Sequence, residues 1–199
     1  MKKLSVFFVF LFVCLSFSVP ASATPIETII IDSGTGLKWV ADANYSKTSG
    51  YDSDGLMTWA KAMAWADGLV YGGYNDWRLP TSDYCNGYDC KKSEYGHLFY
   101  DVFSLTAGQS ILDGNVWQAI GFENFQPYCY WTSTLEPGGG WSYLFAFQYG
   151  YQGSMPVGEY YYAMAVRDDP PILTPEPASL LLIGTGLIGL IALGRRKSR

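Results

Sequence analysis

Apolar residues in this 199-residue chain form two blocks at the ends and a changing periodic pattern between them. The first block, residues 4–19, is interrupted only by Ser5, Ser16 and Ser18, and the last covers residues 178–193. Between them, residues 26–31 and 37–41 are β-prone runs on either side of Asp32-Ser33-Gly34-Thr35-Gly36, the layout of a hairpin. Over residues 58–69, Trp59, Ala62, Met63 and Ala66 fall at i, i+3, i+4 and i+7. That spacing predicts a helix with those four side chains buried, ended by Gly68 in a left-handed cap. A second helix is expected to start at Ser93, a good N-cap, with Glu94 in its first turn. Tyr95, Leu98, Phe99, Val102 and Phe103 form its apolar face, and Gly96 weakens it.

The last third changes to a period of two. Residues 130–134 are short, aromatic and β-branched, and Glu136 to Gly140 reads as a turn. Trp141, Tyr143, Phe145 and Phe147 alternate with Ser142, Leu144, Ala146 and Gln148, as a strand requires. Residues 160–167 alternate again, with Tyr162, Met164 and Val166 on one side. Two helices followed by paired strands predict an α+β domain with a small antiparallel sheet.

The terminal blocks read as addresses. Lys2 and Lys3, the apolar run and Ala21-Ser22-Ala23 compose a signal peptide over residues 1–23, with Thr24 as the mature start. At the other end, Pro170-Pro171 and Pro175-Glu176-Pro177 give residues 170–177 the stiffness of a proline-rich linker. The 16 apolar residues that follow would span roughly 24 Å as a helix, a thin membrane crossing. Gly184, Gly186 and Gly189 keep one side of it slim. Arg195, Arg196 and Lys197 hold the tail cytoplasmic and place the body, residues 24–169, across the membrane. Seven of the 13 basic residues but 17 of the 18 acidic ones lie in that body, leaving it near −10. So acidic a surface excludes a nucleic-acid partner.

Pro175-Glu176-Pro177, the short glycine-containing span and the Arg-Arg-Lys finish resemble the PEP-CTERM sorting signal over residues 174–199. The resemblance implies a Gram-negative-type bacterium, processing by an exosortase, and delivery to the cell surface or an exopolysaccharide matrix. Within the body, Asp32-Ser33-Gly34-Thr35-Gly36-Leu37-Lys38-Trp39 and Gly72-Gly73-Tyr74-Asn75-Asp76-Trp77-Arg78-Leu79-Pro80 resemble the Lcl C-terminal domain family. Thr58-Trp59-Ala60-Lys61-Ala62, Tyr130-Trp131-Thr132-Ser133-Thr134 and Ala165-Val166-Arg167 resemble further segments of that family. This implies a C-type-lectin-like fold, shared with the formylglycine-generating enzymes, and no established activity.

Catalytic candidates are few. His97 is the single histidine, and Gly96 and Leu98 beside it carry no nucleophile motif. Of the three body cysteines, Cys85 and Cys90 bracket a turn-rich loop, the spacing of a local disulfide in an exported protein. Three pairings are open, and this one leaves Cys129 over. Asp52-Ser53-Asp54-Gly55 has calcium-type oxygens without the remainder of an EF-hand loop. Neither the calcium nor the sugar-specifying segment of the C-type lectins is matched: Asn75-Asp76-Trp77 has another order, and Gln126-Pro127 is followed by Tyr128. Arg78 is expected to stack on an aromatic ring or pair with an acid such as Asp76. No catalytic residue, metal or cofactor is therefore expected. All 16 tyrosines lie in the body. Tyr149, Tyr151, Tyr160 and Tyr162 are the candidate ligand-binding residues, because aromatic faces with hydroxyl tips suit sugar rings and protein surfaces. The expected role is a non-enzymatic binding or structural module, partnered by exopolysaccharide or surface proteins. The alternative is an enzyme of the formylglycine-generating branch with a reactive Cys129.

Overall fold

In the computed structural model, residues 27–168 are described. The signal peptide expected at residues 1–23 and the membrane helix expected at 178–193 lie outside them. Among the described residues no helix is long and apolar enough to cross a membrane.

The first hairpin forms as its pattern predicts. β1 (Ile29–Ile31) and β2 (Lys38–Val40) pair antiparallel, with Ile31 opposite Lys38. Asp32 ties the turn by accepting hydrogen bonds from Gly34 N at 2.9 Å and Thr35 Oγ1 at 2.6 Å. After the short α1 (Tyr45–Thr48), α2 (Trp59–Asp67) lies inside the predicted helix but is turned about its axis. Ala62, Trp65, Ala66 and Leu69 are the buried side chains, while Trp59 and Met63 are only half covered. Trp65 outweighs Met63 in apolar area, and Trp59 Nε1 needs an acceptor, which it finds at 2.9 Å in the Thr132 carbonyl. Gly68 is not left-handed; it ends the helix at φ −88°, ψ 0°.

α3 (Glu94–His97) runs on into a π-helical turn, Leu98–Val102. Ser93 Oγ caps it by accepting from Gly96 N at 3.0 Å. Gly96, a weak point by helix propensity, is required by packing: a Cβ there would overlap the Cys90 carbonyl oxygen. α4 (Val116–Ile120) follows a 3-10 turn at Asp113–Asn115, so the body has four helices instead of two.

There are two sheets instead of one. β3 (Cys129–Leu135), β4 (Trp141–Ala146) and β5 (Tyr151–Pro156) form an antiparallel sheet in that order. β6 (Val166–Arg167) returns to pair antiparallel with β2, giving the order β1-β2-β6. The strand expected over residues 160–167 is mostly not one. Tyr161 bridges Met57, Tyr162 bridges Tyr130, and only β6 joins a sheet. Its period of two persists because the segment threads between two cores. Tyr162, Met164 and Val166 face a cluster with Trp39, Tyr95, Phe99 and Phe145. Tyr161, Ala163 and Ala165 face a second, with Val40, Trp65, Trp77 and Trp131. Both faces of the segment are therefore apolar, while its backbone bonds in turn to Met57, Cys129, Trp131, Val40 and Arg78.

Candidate functional site

The two side chains most suited to covalent or acid–base chemistry are both held in place. His97, on α3, sits between two carboxylates. Its Nδ1 is 3.1 Å from Asp101 Oδ2, and its Nε2 is 3.0 Å from Asp32 Oδ2 without the alignment of a hydrogen bond. Asp32 is already engaged in the β1–β2 turn, so His97 links that turn to α3. Asp101 stands four positions on, the spacing of a helical pair, but Asp32 is 65 positions away and nothing near His97 announces it. Cys129, the free thiol among the described cysteines, opens β3. Burial pushes its thiol up to about 11, against a weaker opposing hydrogen bond from Gln148 Nε2 at 3.9 Å. A thiol with that pKa is almost wholly protonated at neutral pH, and the protonated form is a poor nucleophile.

Cys85 and Cys90 are joined in a disulfide with Cα atoms 5.7 Å apart. The loop between them is laid along β5: Gly87 and Gln152 exchange two backbone hydrogen bonds of 2.8 Å. Asp52 is engaged within its own loop and by Lys61. It accepts from Gly55 N at 2.9 Å and Asp54 N at 3.1 Å and pairs with Lys61. Among the described residues no group of three or more His, Cys, Asp or Glu side chains is placed to hold a metal.

The segment Trp77-Arg78-Leu79-Pro80 carries a cluster of ion pairs, though not in the pairing expected. Arg78 meets Glu94 through two hydrogen bonds of 2.8 Å and Asp168 through two more, of 3.0 and 2.8 Å. Asp76 belongs instead to Arg167, which grips it with two bonds of 2.7 and 2.8 Å and lies 3.9 Å over the Tyr74 ring.

The tyrosines divide between two concavities. Tyr149 and Tyr151 line one of about 340 Å³, with Asn86, Tyr88, Cys129, Leu144 and Gln148 among its other walls. Tyr160 and Tyr162 line another of about 390 Å³, together with Leu56, Gln126, Pro127 and Tyr128. Tyr149, Tyr151 and Tyr160 are exposed, whereas Tyr162 is half-buried and packs on Tyr130 with ring centres 5.5 Å apart. Asn86, Tyr88 and Gln148 were not legible as site residues. The exposed tyrosine at position 88, inside a disulfide loop that had to lie against something, was the available signal.

A profile of the Lcl C-terminal domain matches residues 28–167. The chain belongs to this family. The Lcl C-terminal domain thus takes in both sheets, both tyrosine concavities and the charge cluster apart from Asp168. The PEP-CTERM protein-sorting motif matches residues 173–197. This Lcl-type body is accordingly carried by an exported protein that is membrane-anchored as a precursor and processed by an exosortase. The signal residues Pro175, Glu176, Pro177, Arg195, Arg196 and Lys197 lie outside the described residues. No curated protein matches the chain.

Proposed function

We propose that this protein is a non-enzymatic binding or structural module, released by exosortase to the cell surface or an exopolysaccharide matrix. On this reading, residues 1–23 are its cleaved signal peptide, its body is C-type-lectin-like, and its partners are exopolysaccharide or surface proteins. The observation that carries the reading is the contrast between reactive and contact-making side chains. The one histidine is held between two carboxylates, and the free thiol is half-buried with its pKa pushed up to about 11 by burial. The tyrosines instead stand exposed around open concavities, where rigid aromatic area adds contact at low entropy cost.

Substitution separates the two classes. His97→Ala should leave binding to purified exopolysaccharide within about threefold, under ~0.7 kcal/mol. Truncating Tyr149, Tyr151 or Tyr160 to Ala should weaken that binding further. A turnover abolished by Cys129→Ser, with the tyrosine variants unaffected, would establish the formylglycine-branch enzyme in place of a binding module.

A further inference from the structure

The two tyrosine concavities differ in what surrounds the rings, and one has a built floor. Across β4 and β5, Leu144 pairs with Gly153 and Ala146 with Tyr151. Leu144, Ala146 and Gly153 lie on one face of the sheet, two of them too small to rise from it. Tyr149 and Tyr151 stand at the margin of that floor, and the disulfide loop supplies the opposite side through Asn86 and Tyr88. Tyr151 is fixed twice. Its hydroxyl donates to Asn86 Oδ1 at 2.8 Å, and its ring meets Tyr88 edge-on at 5.2 Å and 83°. A side chain already held in one rotamer loses little entropy on binding.

The polar lining has a consistent character. Asn86, Gln148, Ser154 and the tyrosine hydroxyls donate and accept hydrogen bonds, and no Asp, Glu, Lys, Arg or His lines the concavity. A polyanion would find no cation there and would approach a body near −10. Glu136 accepts from the Ser154 hydroxyl but does not itself line the concavity, so a metal ion or simple cation would find no carboxylate in its walls. We propose that this concavity binds one ring of an uncharged polysaccharide, a neutral sugar unit. Its apolar C–H face would lie on the tyrosines and its hydroxyls would meet the amides. This deepens the binding-module reading and rests on it. The volume of about 340 Å³ is at the small end for ligand sites and suits a single ring with the chain running out at either side.

The test uses the full chain in lipid nanodiscs, titrated calorimetrically with hexamers of cello-, xylo-, malto- and N-acetylchito-oligosaccharide. Hexagalacturonate and choline serve as the anionic and cationic probes. At least one neutral hexamer should bind, and Tyr149→Ala and Tyr88→Ala should each weaken it tenfold or more. Tyr84→Ala should change it less than twofold, because Tyr84 is exposed but packs on Tyr143, on the opposite face of the sheet. Failure of all four neutral hexamers to bind overturns the proposal, as does binding indifferent to Tyr149 and Tyr88. If hexagalacturonate or choline binds instead and the same tyrosines matter, the ligand class is wrong while the binding module stands. If no probe binds and Cys129-dependent turnover appears, the binding module itself falls.

Discussion

At the β6 end of the β1–β2–β6 sheet, two arginines are committed to three carboxylates, and Tyr74 serves as a platform for one of them. On the β3–β4–β5 sheet, the open end carries no charged lining, and its tyrosines meet solvent or one another. The same kinds of residue thus do opposite work at the two places. A charge that is half-buried must be paired, so it fixes architecture and has little left for a ligand. An aromatic ring needs no partner to be stable at a surface and keeps a face available. Charge in this domain therefore marks what is fixed, and exposed uncharged aromatic area marks what is free to bind.

The largest expected effect breaks the charged side. Arg78→Ala removes four carboxylate hydrogen bonds and leaves Glu94, with a side chain only 16% exposed, without its guanidinium. The loss should be about 2–3 kcal/mol in chemical denaturation. Tyr149→Ala should cost under ~0.5 kcal/mol in the same assay, since its ring is more than half exposed. Equal losses would abolish the distinction between the two regions.

Next in size is the disulfide that holds the loop against β5. Peptide mapping of the exported protein should recover Cys85 joined to Cys90 with Cys129 free. Cys85→Ser with Cys90→Ser should lower stability by ~2 kcal/mol, near the low end for so short a loop. Cys129 joined to either of the other two would contradict the pairing.

The smallest effect is one of pH. The Arg167 hydrogen bonds hold Asp76, and those from Arg78 hold Asp168, below the ordinary carboxyl value of 3.8. A carboxyl whose folded pKa is depressed stabilises fully above the unfolded value, and that stabilisation is lost as pH falls through the folded one. The stability difference between wild type and Arg78→Ala should therefore be level at neutral pH and shrink as pH falls below 3.8. Both carboxyl groups are largely exposed, so solvent screening keeps the change modest. A difference that grew on acidification would show that the ion pair is not what Arg78 contributes.

Much of this was legible because it is local. The first hairpin, the Ser93 cap and the terminal address are each written within a few consecutive residues. What was hidden depends on distant partners. Arg78 is 16 positions from Glu94 and 90 from Asp168, and nothing near it selects them over Asp76. β5 was missed because Gly153 and Pro156 break the strand signal, although β4 pairs with it along its whole length. The first tyrosine concavity is assembled from the disulfide loop and from β3 to β5, so no single segment could display it. The threaded segment at residues 160–167 showed the right period for a different reason, since two cores impose the same alternation as a sheet with two faces.

The position of Asp168 has a mechanical consequence. Asp168 follows β6 and the last residue matched by the Lcl profile, and the sorting motif begins at residue 173. In the membrane-held precursor, any pull on the anchor enters the body at this point. β6 is two residues long and would peel easily by itself. Asp168 is bonded to Arg78 and Arg167 to Asp76, so a pull here acts on two ion pairs as well as on the two-residue strand. The charge cluster thus reinforces a short strand at the point where the tether joins the domain, on a different sheet from the tyrosine concavity.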